Sequence, residues 1–258
     1  DFLSAELPCK DANEYLEEGH IKTAFAAVMF RGAKPKNSRI IMGSSLRDVA
    51  KKRPEFGLSW PWQGLTDLTR GIRRKETYYF GAGVKMGKSE VVNAIGDHLI
   101  RHHDLPVMFC KPEEDAAKTY KLLVGKAAGR IFHDPSIPFD EEAFDQAEKL
   151  IGDKAIIVDS YQFVDWDTLK GDIAYCVKGE KVKDIIIDPI TCFTNQMSSS
   201  EANEFLVGMT AELAAMSKDM DFTSYIFCHL KAPEAGPPHE RGGKVLSTQF
   251  AGSRSMMR

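Results

Sequence analysis

Five short apolar runs stand out along the chain: 77–81 (TYYFG), 106–110 (PVMFC), 155–159 (AIIVD), 184–188 (DIIID) and 224–229 (SYIFCH). They are rich in Ile, Val, Phe and Tyr, do not alternate with polar residues, and end at turn-forming positions. That is the pattern of strands covered on both faces. Between them, apolar positions recur at helical spacing over 88–103, 115–130, 140–151 and 203–220. Strands alternating with helices of this length predict an α/β fold: a mostly parallel twisted sheet with crossover helices on both faces. This core is expected over residues 58–258.

The first part of the chain has a different texture. Residues 11–30 carry a helical pattern through Tyr15, Leu16, Ile21, Phe25, Val28 and Met29, and the polar stretch 32–38 (GAKPKNS) breaks it. Residues 44–53 then place Leu46, Val49 and Ala50 on one stripe. A helix that short is marginal alone in water, so it is expected to dock on another surface. Three segments follow: 1–32, 33–57 as a linker with an amphipathic helix, and 58–258 as the core.

Composition narrows the function. With 43% hydrophobic and 28% charged residues among 258, the chain is neither disordered nor fibrous. No apolar run approaches the roughly 20 residues of a membrane span. Lys and Arg total 34 against 37 Asp and Glu, a net charge of −3, so nucleic-acid contacts must come from local basic positions. Five widely spaced cysteines (9, 110, 176, 192 and 228) without a C-x-x-C pair fit a reducing compartment and no structural zinc. The chain opens on Asp1 without a Met and reads as a piece of something longer.

The strongest chemical signal is 80–89 (FGAGVKMGKS), a buried strand followed by a glycine-rich loop and a helix start. Glycines let backbone N–H groups turn inward, and a helix N-terminus adds positive potential, so Gly83, Val84, Lys85, Met86, Gly87, Lys88 and Ser89 form a phosphate cradle. Lys88 reaches the β- and γ-phosphates, and the Ser89 hydroxyl sits on Mg²⁺. Ala82 stands where the strict pattern has its first glycine, flanked by Gly81 and Gly83. Asp188 ends an apolar strand beside that loop and is placed to hold Mg²⁺ through water. Glu113 and Glu114 follow another strand, where one of them orients or deprotonates an attacking water. His229 ends a fifth strand, within reach of a γ-phosphate.

The segments 81–89, Glu113-Glu114, 185–188, 228–231 (CHLK) and 250–253 (FAGS) occur in the order seen in RecA-like hexameric replicative helicases of the DnaB family, which the chain resembles. The resemblance is nearest to the helicase half of bifunctional phage primase–helicases, with mitochondrial Twinkle more distant. It is most specific over 228–240 (CHLKAPEAGPPHE), and 7–14 (LPCKDANE) is similar to the end of a Toprim primase domain, which implies that 1–32 is the tail of such an upstream domain. The resemblance implies a RecA-like P-loop NTPase using Mg²⁺ and ATP or dTTP, with Lys88, Glu113 and His229 catalytic. Glu113 activates water, Ser89 and Asp188 serve the metal, and His229 links the γ-phosphate to a DNA-binding loop. It implies single-stranded DNA contacts on 193–201 and 231–244, including Asn195, Ser199, Lys231, Arg241 and Lys244. Implied partners are identical subunits in a hexameric ring and a replicative DNA polymerase, in the cytoplasm of a bacterial host. An arginine finger from the next subunit is expected beyond Arg258. The alternative function is a RecA-like ATPase that assembles into a ring or filament and binds DNA or protein without unwinding.

Three other features have plainer expectations. His98, His102 and His103 read as an exposed polar helix face, with zinc as the sharper alternative. Arg73-Arg74-Lys75 reads as a solvated turn or a basic surface for DNA or a neighbouring subunit. Trp60 is expected to pack beneath the first strand, with base stacking by Trp60 and Trp62 as the alternative.

Overall fold

The computed structural model describes residues 22, 41–83, 85–161, 165–233 and 236–250. The chain divides into two compact units, 1–55 and 56–258. In the first, a 3₁₀ turn (Gly43–Leu46) runs into a single helical turn, α1 (Arg47–Ala50), shorter than the helix expected over 44–53. Leu46, Val49 and Ala50 are all exposed there. The expected helix over 11–30 and the motif at 7–14 lie outside the described residues.

The second unit is built on five strands: β1 (Thr77–Ala82), β2 (Val107–Cys110), β3 (Ala155–Val158), β4 (Asp184–Ile187) and β5 (Thr223–His229). Every pairing is parallel, and the spatial order is β1-β5-β4-β2-β3. Around them lie α2 (Gln63–Thr69), α3 (Lys88–His103), α4 (Ala116–Ala128), α5 (Glu141–Ile151), α6 (Trp166–Lys178) and α7 (Ser199–Met220). All five apolar runs of the sequence form strands.

Their lack of alternation has a direct cause. Successive side chains point to opposite faces of a strand, and here both faces are packed. Val107, Phe109, Ile186, Tyr225 and Phe227 join Val92, Ile95, Leu99 and Ile100 of α3 in one cluster. Met108, Cys110, Ile185, Ile187 and Ile226 join Leu169 and Ile173 of α6 and Leu206 and Leu213 of α7 in another. Trp60 lies in the first cluster, edge-on to Tyr78 at 4.9 Å, and its Nε1–H donates to Thr69 Oγ1 at 2.8 Å. Trp62 is exposed.

The sequence reading left α6 out, although Trp166, Leu169, Ile173 and Cys176 recur at helical spacing and are buried. Its start is also marked: the Asp165 carboxylate accepts from the Thr168 N–H at 2.9 Å. Helix α7 begins four residues before the expected 203, because Ser198 and Glu201 form a reciprocal capping box. Ser199 to Glu201 are therefore helical, and the open loop expected over 193–201 shrinks between a 3₁₀ turn (Ile190–Thr194) and α7.

Two basic or imidazole clusters are more structural than expected. Arg74 reaches the N-terminal edge of the sheet, where it donates to Asp184 Oδ2 at 2.7 Å and to the Lys183 carbonyl at 2.9 Å. Tyr225 donates to the other oxygen of Asp184 at 2.8 Å. Burial pushes the Asp184 carboxyl upward, against the pull of Arg74 and Tyr225. At the end of α3, His98 and His103 are half-buried, each within 3.1 Å of the Ser59 hydroxyl, and only His102 is exposed.

Candidate nucleotide-binding site

Four consecutive strands of the sheet, β1, β5, β4 and β2, run parallel and so present their C-terminal ends along one edge. The glycine loop leaves β1, His229 ends β5, Asp188 follows β4, and Glu113 follows β2. Groups far apart in sequence thus meet at one edge, the position that open α/β sheets use for ligands.

The loop is shaped by backbone, with Lys85 at φ 58° and Gly87 at φ 85°. Glycine is the residue that adopts the second of these without strain. Nothing lies within 4 Å of where a Gly87 side chain would begin, so conformation and not crowding requires glycine there. Gly87 is the N-cap of α3, which brings unpaired amides and the positive end of a helix to the loop. Lys85 and Met86 are exposed, Gly83 is buried, and Val84 lies outside the described residues.

Lys88, in the first turn of α3, folds back into an ion pair with Asp188 Oδ1. Its ammonium also lies 3.6 Å from Glu113 Oε2. Asp188 is only 3% exposed. Burial pushes its carboxyl upward, and Lys88 offsets part of that. The Asp188 backbone is itself pinned: its N–H donates to the Cys110 carbonyl at 2.9 Å, which locks the end of β4 to β2.

The two neighbouring glutamates differ sharply. Glu113 is 49% exposed, with Oε1 3.3 Å from His229 Nε2. Glu114 is mostly buried and pairs with Lys111, which is 2% exposed, while Lys118 lies 3.8 Å away. Glu114 is thus occupied in neutralising a buried ammonium, and Glu113 alone of the two faces Lys88 and His229. His229 Nδ1 is buried and meets no partner among the described residues.

The sequence reading missed Cys192, four residues past Asp188. Burial, and then the adjacent Glu113, push its thiol up to about 11. A lone cysteine in a polar stretch carries no signal of its own; only the turn after β4 brings it to the glutamate.

Ser89 is half-buried in the first turn of α3. Asn195 and Ser199 are exposed after β4, and Lys231, Arg241 and Lys244 are exposed after β5. These five side chains enter none of the contacts among Lys88, Asp188, Glu113 and His229. The Lys231 backbone is fixed, with its N–H donating to the Gln249 carbonyl at 2.8 Å.

No protein-family model matches the chain. The DNA helicase/primase of Enterobacteria phage T3 is 29% identical over 265 residues, covering 98% of this chain and 46% of that protein. The chain therefore spans less than half the length of that relative. Among solved structures, one ATPase domain superposes with a TM-score of 0.59 at 14% identity, over 83% of this chain and 77% of that one. A DnaB-like replicative helicase, described with its interactions with primase, gives a TM-score of 0.56 at 14% identity over 85% of this chain and 55% of that one. At that identity the likeness speaks to fold. The chain is thus similar over nearly all of its length to a phage DNA helicase/primase, and its core shares the α/β fold of an ATPase domain and of a DnaB-like replicative helicase.

Proposed function

We propose that this chain is the motor of a phage replicative DNA helicase, hydrolysing ATP or dTTP to move along single-stranded DNA and open the duplex at a replication fork. The observation that carries the reading is the convergence of Lys88, Asp188, Glu113 and His229 at the C-terminal ends of four adjacent parallel strands. The phage relative, a DNA helicase/primase, supports it.

One ammonium faces two carboxylates here. A triphosphate adds further negative charge, so the set fits a divalent cation with few protein ligands. Mg²⁺ is commonly held in that way, by one or two carboxylates together with substrate phosphates. The Ser89 hydroxyl and the Asp188 carboxylate would hold it, and the chemistry it would supply is neutralisation of phosphate oxygens. Lys88 exchanges Asp188 for the β- and γ-phosphates, while the loop amides and the start of α3 bind the remaining oxygens. Glu113 accepts a proton from the attacking water, in line with the bond to the leaving diphosphate. His229, at hydrogen-bond reach of Glu113, senses the γ-phosphate, and β5 continues directly into Lys231.

Asn195, Ser199, Lys231, Arg241 and Lys244 hold the strand by its phosphates, so binding is salt-sensitive and largely indifferent to base sequence. Identical subunits form a ring, hexameric as the resemblance implies, around that strand. The test is hydrolysis of ATP and dTTP with and without single-stranded DNA, with Lys88→Ala as the control. Stimulation by the strand that disappears in Lys88→Ala supports a translocating motor and leads to a fork-unwinding assay. Hydrolysis indifferent to DNA sinks the helicase reading in favour of a RecA-like ATPase that assembles without unwinding.

A further inference from the structure

His239 lies ten residues past His229, in a short 3₁₀ turn (His239–Arg241) of the segment that follows β5. It is only 5% exposed, unlike its neighbours Pro238 and Glu240. Its Nε2–H donates to the Lys231 carbonyl at 3.2 Å, which ties the turn to the first residue after Leu230. Its Nδ1 is buried and meets no partner among the described residues.

The same side chain rests on the phosphate loop. A methyl group built on Gly83 would lie 2.8 Å from His239 Cβ and 3.4 Å from its Cδ2. Gly83 is therefore glycine for close approach, and His239 occupies the space. The same happens two residues earlier: a methyl group on Gly81 would meet Leu230 at 2.5 Å and Phe250 at 2.6 Å. Leu230, His239 and Phe250 are thus seated on two glycines of the strand and loop that bear the phosphate site. Lys231 and Arg241, two of the three Lys and Arg positions of the segment 230–250, flank the His239 contact.

We propose that His239 is a positioning residue that couples the phosphate loop to the strand-holding segment, by a route separate from His229. Packed groups transmit displacement because there is no free volume to absorb it. A shift of Gly83 on nucleotide binding moves His239, and its hydrogen bond carries the shift to Lys231. Arg241 follows through the same turn. The inference rests on the helicase reading above and deepens it.

The test is the affinity of a fluorescein-labelled oligo-dT for the whole chain, with and without the β,γ-methylene analogue of whichever of ATP and dTTP the chain hydrolyses. The quantity read is the ratio of the two dissociation constants. His239→Ala is expected to lower that ratio at least 5-fold, the lower end of ordinary coupling, with nucleotide affinity and melting temperature close to wild type. His239→Gln, which keeps a donor toward the Lys231 carbonyl, is expected to retain most of it. An unchanged ratio in His239→Ala overturns the proposal. If His239→Ala fails to fold, His239→Gln and His239→Leu are compared: retention by Gln and loss by Leu supports the route, and equal ratios overturn it. If the wild-type chain shows no nucleotide effect on strand binding, the helicase reading fails and this route fails with it. A wild-type effect that survives in His239→Ala removes only this route.

Discussion

Glu113 and His229 meet at 3.3 Å, although Glu113 follows β2 and His229 ends β5, strands that are not neighbours in the sheet. Strand β4, with Asp188 at its end, lies between them. Lys88 reaches into the same space from the glycine loop, so each of the four side chains sits within one contact of another.

That arrangement separates the two adjacent glutamates. Glu113→Gln is expected to lower NTP turnover by about 10² to 10⁴, the range of a lost general base, with nucleotide affinity largely kept. Glu114→Ala strands the Lys111 ammonium, which is 2% exposed, and is expected to cost about 3 kcal/mol of stability. Turnover assays beside denaturant unfolding of both variants check the division of labour. A large turnover loss in a stable Glu114→Ala would reverse it.

Removing Lys88 also leaves a buried carboxylate without its cation. Burial already holds the folded-state pKa of Asp188 above its ordinary value, and Lys88→Ala raises it further. The folded state then binds the extra proton, so the penalty is absent below the unfolded pKa of about 3.9. It grows as pH rises toward the folded pKa and is complete above it. Lys88→Ala is expected to lose about 3 kcal/mol relative to wild type at neutral pH, with the gap narrowing toward pH 5. Adding Asp188→Asn is expected to restore most of the loss. Urea unfolding across that pH range is the measurement, and a pH-independent gap would refute the linkage.

Cys192 gives a chemical probe of the same site. With its thiol at about 11 and a free thiol near 8.5, its thiolate fraction at pH 8 falls by about 240-fold. Iodoacetamide labelling read by peptide mass spectrometry is therefore expected to be slow at Cys192 in the folded chain and fast after denaturation. Rapid native labelling would mean that the Glu113 side is open and polar.

Gly81 tests the seat of the segment after β5. Gly81→Ala drives a methyl group to 2.5 Å from Leu230 and 2.6 Å from Phe250, an overpacking expected to cost about 1–3 kcal/mol. The double variant Gly81→Ala/Leu230→Ala is expected to be less destabilised than the sum of its single changes. Calorimetric melting of the four proteins measures that coupling.

Much of this was legible in the residues because the signals were local. An apolar run without alternation means a strand packed on both sides, and all five formed one. The glycine loop before Lys88 and Ser89 announced itself by spacing. What stayed hidden depended on contacts made across the fold. Arg74 looked like part of a solvated turn, because nothing near it in sequence shows that the buried Asp184 lies beside it. His98 and His103 looked like surface until Ser59 was folded against them. Helix α6 had spacing and a cap but sits among polar residues that dilute its pattern. Glu113 was distinguished from Glu114 in the residues only by resemblance, since their different surroundings come from Lys111 and His229.

The place of β5 has a consequence for biogenesis. It is the last of the five strands to be synthesised, yet it lies between β1 and β4, pairing Thr77 with Ser224 on one side and Asp184 with Thr223 on the other. On a ribosome, β2, β3 and β4 have one another, while β1, at the sheet's end, has no strand neighbour but β5 among the described residues. The strand that carries the phosphate loop therefore waits for the latest strand before it is sheltered. Such long-range parallel pairing is slow, and the unsheltered edges invite aggregation. Nascent chains stalled before residue 223 are the ones that most need a chaperone.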